Sequence, residues 1–147
     1  MKIRGSQVQS EHDKVVRASA GTYHSKVAEG CRVSVNPDGE HNFYLGPENN
    51  PIYPDVVVWK PSSPGANGGN VEIIEEIETA ESVNETEADQ WAEYGARFGG
   101  TFFLIVPSGS ERQALTIIRR RRIRVSQIYT YALSGQNVSF ENTNLLS

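Results

Sequence analysis

The sequence predicts a mixed α/β fold, one central sheet with helices against both faces, and three observations support this. Short segments at 31–35, 53–59, 71–79 and 101–106 carry the alternation or the β-branched density of strands. Amphipathic stretches with clear punctuation follow the third and the fourth of these, and strand–helix–strand alternation signals crossovers onto a partly parallel sheet. The run TFFLIV at 101–106 is apolar at every position, as expected of a strand covered on both sides.

Taken in order, residues 10–27 (SEHDKVVRASAGTYHSKV) read as a helix with Val15, Val16, Ala18, Tyr23 and Val27 on its apolar face, and Gly30 is placed to end it. Residues 31–35 alternate as a strand. Asn36-Pro37-Asp38-Gly39 has turn chemistry, which makes 40–45 a candidate hairpin partner. A loop rich in Gly, Pro and Asn leads to the strand YPDVVVW, and KPSSPGANGGN connects that strand to the next at 71–79. Asn84 has N-cap chemistry with Glu87 three residues on, Val83 and Ala88 can form a staple, and Gly99-Gly100 closes that helix. Ser110 with Gln113 suggests a second capping box, and Ala114, Leu115, Ile117 and Ile118 face inward on the helix it opens. A last strand falls within 123–133. The expected order is α-β-(β)-β-β-α-β-α-β, a single domain over 1–133 with a loosely held polar tail at 134–147.

The length of 147 residues suits one domain with a core of its own. No stretch reaches membrane-spanning length, and the opening residues MKIRGSQVQSEHDK lack the apolar core of a signal peptide. One cysteine, Cys31, forms no internal disulfide and fits a reducing cytoplasm, while His12, His24 and His41 show no zinc-ligand spacing. A net charge of −4 argues against nonspecific coating of nucleic acid. The charge is nevertheless segregated. Residues 71–94 hold 9 of the 18 acidic residues, and arginines gather later at Arg112, Arg119, Arg120, Arg121, Arg122 and Arg124.

Several of those acids lie inside a strand, where a carboxylate is costly to bury unless compensated. In an extended 71–79 segment, Val71, Ile73, Glu75, Ile77 and Thr79 share one side, and Glu72, Ile74, Glu76 and Glu78 the other. Glu76 and Glu78 then point the same way with Cα atoms roughly 6.5–7 Å apart. Such a pair repels when ionised unless a cation intervenes, and a hard ion such as Mg2+ prefers oxygen ligands of this kind. Asp55, at the start of Val56-Val57-Val58, is the natural third acid from a neighbouring strand.

Pro54-Asp55, about twenty intervening residues, then Glu76-Ile77-Glu78 behind the apolar Ile73-Ile74 and ahead of a helix, resembles the PD-(D/E)xK nuclease superfamily. The resemblance covers residues 10–131 and implies a restriction endonuclease-like mixed central β-sheet flanked by helices. It further implies metal-dependent endonuclease chemistry, with Mg2+ (Mn2+ as substitute) on Asp55, Glu76 and Glu78 and nucleic acid, DNA first, as substrate. The family's lysine position is filled by Glu78, a Glu-x-Glu variant that some active restriction endonucleases share. The resemblance also assigns Glu11 to an accessory-acid position and Gln90 to a polar position beside the site. Duplex-cutting relatives often dimerise, which implies a homodimer.

Plainer readings stand beside these. Asp55 can be a strand-start residue, and Glu76 and Glu78 the charged face of an edge strand. Lys60 or Lys26 could supply the missing cation or could be surface lysines. Arg119, Arg120, Arg121 and Arg122 suit the helix macrodipole, yet four in succession point around most of the helix, more than capping requires, and could grip phosphates. The two alternatives to a nuclease are a catalytically inactive nuclease-fold module that binds DNA or protein, and an unrelated α/β protein whose acidic patch docks a basic partner.

Overall fold

The computed structural model describes residues 5–37, 43–61 and 70–146. The helix expected over 10–27 forms as two pieces, α1 (Ser6–Gly21) and α2 (His24–Ala28). The break has a local cause. Thr22 folds back on the Ser19 carbonyl through its N–H at 3.0 Å and its hydroxyl at 2.7 Å, which turns Tyr23 inward toward the sheet. Gly30 then closes α2 with a φ of +100°, a conformation that strains any residue with a Cβ.

The strands are β1 (Arg32–Val35), β2 (Val56–Trp59), β3 (Val71–Ile77), β4 (Thr101–Pro107), β5 (Gln127–Ser134) and β6 (Asn137–Asn142). They form one mixed sheet in the order β1-β2-β3-β4-β5-β6. The first three run antiparallel, β3, β4 and β5 run parallel, and β6 returns antiparallel on β5. The parallel pairs require crossovers, supplied by α3 (Glu85–Arg97), preceded by a 3-10 turn at Ala80–Ser82, and by α4 (Glu111–Arg121). Two successive crossovers of the same hand that advance in one direction put both helices on one face. Alternation along the strands divides the core accordingly. Val57, Trp59, Ile74, Phe102, Leu104 and Val106 pack with α3 and α4, while Val56, Ile77, Ile105 and Tyr131 pack with Val15 and Val16 of α1. The mixed α/β class and helices on both faces are therefore as the sequence indicates. Among the described residues no helix is long and apolar enough to cross a membrane.

Three local expectations are corrected. Residues 38–42 lie outside the described residues, but Leu45 does not return to β1. It forms an isolated bridge with Ile52, and β1 takes β2 as its neighbour. Ser110 makes no side-chain cap, because its φ of −98° and ψ of −2° are helical rather than the extended conformation a cap needs. Gln113 instead donates to the Val83 carbonyl at 2.5 Å. The polar segment after 133 is not loosely held. It completes β5 and builds β6, Thr143 ties to the Ile128 carbonyl through its N–H at 3.1 Å and hydroxyl at 2.8 Å, and Leu145 and Leu146 pack on the core. Alternation in NVSFEN is the signal, obscured by its Asn and Ser content. The Asn84 cap does form, its side chain accepting the Glu87 N–H at 2.9 Å.

Helix α3 is anchored at its C-terminal turn by Arg124, whose guanidinium donates to the carbonyls of Gly95 (2.9 Å), Gly100 (3.1 Å) and Phe98. A methyl group on Gly95 would run into the Arg124 carbonyl oxygen. Gly95→Ala should therefore destabilise the protein by about 1–3 kcal/mol in urea unfolding, although alanine is the better helix former by about 1 kcal/mol in isolation.

Candidate functional site

Asp55, Glu75, Glu76 and Glu78 are all buried at the junction of β2 and β3. The register pairs Val56 with Glu75, so the next rung sets Asp55 opposite Glu76, on the face that carries Ile74 and α3. Tyr94 of α3 senses both acids. Its hydroxyl hydrogen-bonds Glu76, and its pKa is raised first by burial and then by the charges of Glu76 and Asp55. The Asp55 carboxylate also reaches along the strand end, where Oδ2 accepts the Ile77 N–H at 2.8 Å and lies 3.3 Å from Nε2 of His12 on α1.

Glu78 is turned toward α3. Its Oε1 accepts the Ser82 hydroxyl at 2.6 Å and its Oε2 the Trp91 indole N–H at 2.7 Å. The 3-10 turn is thus shaped around this carboxylate, since Ser82 Oγ also accepts the Thr79 N–H at 3.0 Å. Gln90 joins the same neighbourhood, its Nε2 donating to the Tyr94 hydroxyl at 3.0 Å. Glu75 points to the opposite face and is met there by α1, with Ser19 Oγ donating to Oε1 at 2.5 Å and the Tyr23 hydroxyl to Oε2. Burial pushes the Glu75 carboxyl up to about 7, the two hydroxyl donors oppose that rise, and the Asp55 charge adds to it.

The structure brings Asp55, Glu76 and Gln90 into one neighbourhood and gives Glu78 to Trp91 and Ser82. Among the described residues, no group of three or more His, Cys, Asp or Glu side chains is arranged to hold a metal ion. Glu11 accepts the Tyr131 hydroxyl at 2.6 Å, on the face of the sheet that α1 covers. Its neighbour His12 is the α1 residue beside Asp55, and sequence reasoning missed it. The signal was its place in the stripe His12, Val15, Val16, Ser19, all buried on α1. Lys60 is exposed at the other end of β2, roughly 17 Å along the strand from Asp55, and Lys26 pairs with Glu72 at 2.5 Å, so neither supplies a cation here.

The arginine run is largely committed to the protein itself. Arg120 pairs with Glu85, Arg121 reaches Asp89 at 2.6 Å and the Glu85 carbonyl at 2.9 Å, and Arg119 touches the Leu145 carbonyl at 3.5 Å. Arg122 is exposed and ends α4 with a φ of +54°. These contacts link α4 to α3 and to the C-terminal segment, with Arg119 and Arg120 still exposed.

In comparisons with known proteins, no family model, no curated protein and no solved structure matches the chain.

Two consequences can be measured. Trp91→Phe removes one of the two donors to a fully buried carboxylate and should cost about 1–3 kcal/mol in chemical denaturation, more than the small loss of ring volume explains. The second concerns pH. Folded Glu75 keeps its proton up to about pH 7, whereas the ordinary value is 4.5, so folding takes up a proton between those limits and stability declines as pH rises through them. The decline attributable to this group is about 3 kcal/mol at most. Glu75→Gln, which cannot ionise, should flatten it, read as the difference in unfolding free energy between the two proteins across that window.

Proposed function

We propose that the chain is a metal-dependent nuclease-like enzyme that hydrolyses phosphodiester bonds in nucleic acid, with Asp55 and Glu76 as its metal-binding pair. The observation that carries this reading is the adjacency of those two buried carboxylates on paired strands, at the carboxyl end of β3 and on the α3 side of the sheet. Element order adds support. A helix, three antiparallel strands, a crossover helix and a parallel strand is the arrangement that the PD-(D/E)xK resemblance calls for, with Asp55 entering the second strand and Glu76 near the end of the third.

The donor set fits a hard divalent cation in kind: two carboxylates, whose remaining coordination water would complete, as Mg2+ prefers. When bound, such an ion polarises a phosphoryl oxygen and lowers the pKa of a bound water. The protein's own residues do the rest. His12 and the Ile77 N–H fix the Asp55 carboxylate, Tyr94 fixes Glu76, and Gln90 steadies the Tyr94 hydroxyl. Glu78, locked by Ser82 and Trp91, holds the 3-10 turn and the start of α3 against β3, and it serves as a ligand or proton acceptor only if it releases one of those donors. DNA is the first substrate to test, and a homodimer is the form in which two such sites could cut both strands of a duplex.

A second reading is favoured by one observation: both Glu78 oxygens are engaged and no lysine occupies that position, as suits a nuclease fold retained for binding without cleavage. Mn2+ titration by calorimetry, with cleavage assays on single- and double-stranded DNA, separates the two. Hydrolysis requires that Glu76→Gln and Asp55→Ala each lose Mn2+ affinity and all detectable cleavage while keeping a native circular dichroism spectrum. Wild-type protein that binds no Mn2+ supports the binding module instead.

A further inference from the structure

The other face of the sheet holds a cavity of about 220 Å³ between the C-terminal half of α1 and the strands β3 to β6. Its polar floor is Glu75, and Tyr23, Phe103, Tyr129 and Phe140 contribute its aromatic walls. Helix α1 lies over β1, β2 and β3, so Phe103, Tyr129 and Phe140 stay half-buried where the helical cover ends. Phe103 and Tyr129 stack edge to face with centroids 5.0 Å apart, which sets ring surfaces and ring edges at the cavity wall.

We propose that this cavity binds a small organic cation with one flat ring and N–H groups, an aryl amine or amidine, with Glu75 as its anionic contact and the four aromatic side chains as its walls. The chemistry of the lining selects this class. Ring faces are electronegative and attract cations, and a carboxylate at the floor does the same, so both kinds of wall favour positive charge and disfavour an anion. Ser19 and Tyr23 each donate one hydrogen bond to Glu75, whereas a carboxylate accepts about four, which leaves acceptor positions for ligand N–H groups. A purely apolar guest would cover that carboxylate and offer it no donor. The volume falls below the roughly 300–1,000 Å³ of sites for drug-sized ligands, which limits the guest to a single ring with a short arm. Glu75 and Glu76 point to opposite faces, so this site is separate from the carboxylate pair proposed for hydrolysis, and neither reading depends on the other.

The full chain titrated at pH 8, where Glu75 is ionised, with benzamidine and with its neutral isostere benzamide, followed by amide chemical shifts, tests the proposal. Benzamidine should saturate, shift the resonances of Tyr23, Phe103, Tyr129 and Phe140, and bind at least about tenfold tighter than benzamide, the worth of one charge-assisted hydrogen bond. Glu75→Gln should erase that preference. Should this variant fail to fold, Phe140→Ala, a truncation on the half-exposed outer strand, should weaken benzamidine at least about threefold. Equal affinity for the two probes, or no saturation by about 10 mM benzamidine, overturns the proposal.

Discussion

The burial of carboxylates where β2 begins and β3 ends is the constraint around which this protein is organised. A buried anion is tolerated only where hydrogen-bond donors replace the water it has lost, and each acid here draws a particular element into place to supply them. Glu75 fixes the end of α1 through Ser19 and Tyr23, and Glu78 fixes the start of α3 through Ser82 and Trp91. Asp55 ties β2 to β3 through the Ile77 N–H and meets α1 at His12, and Glu76 engages Tyr94. Apolar packing would hold these helices against the sheet in several orientations. The carboxylates select among them, because a helix that slides by one turn leaves an anion without donors.

This selection explains which features the sequence displays and which it hides. Strand and helix positions follow from periodicity and caps, so β2, β3, β4 and α3 lie close to where Val56-Val57-Val58, Ile73-Ile74, TFFLIV and the Asn84 cap suggest. The facing of Glu76 and Glu78 follows from the two-residue period of a strand, and Asp55 beside Glu76 follows from pairing. What stays hidden is the direction of a long polar side chain at the end of a strand. Glu78 shares a face with Glu76 in sequence, yet its destination depends on where an indole thirteen residues later comes to rest. The stripe on α1 signals that His12 is buried, but a lone histidine in a polar N-terminal segment gives no hint of its partner, a buried aspartate 43 positions on. The partners of the α4 arginines stay hidden as well, because the acids that pair with them, Glu85 and Asp89, belong to another helix.

Strand β3 also separates two environments with a single backbone. Consecutive residues Glu75 and Glu76 send carboxylates into opposite layers, one among hydroxyls and aromatic rings beneath α1, the other toward Asp55 and Tyr94 beneath α3. Asp55 is felt from both sides, raising the pKa of Glu75 and of Tyr94 alike. A change of charge at this strand end is therefore transmitted through the sheet electrostatically, with no movement of the backbone required.

The strand β6 has a role that its composition conceals. It covers the hydrogen-bonding edge of β5, a strand whose residues Tyr129 and Tyr131 alternate with Ile128 and Thr130. Its own outer margin presents Asn, Ser and Glu side chains, a poor template for further chains. Trimming the protein after residue 133 would thus do more than shorten it. The cut would bare an aromatic-rich β edge, and self-association, with loss of solubility, is the fate of such edges.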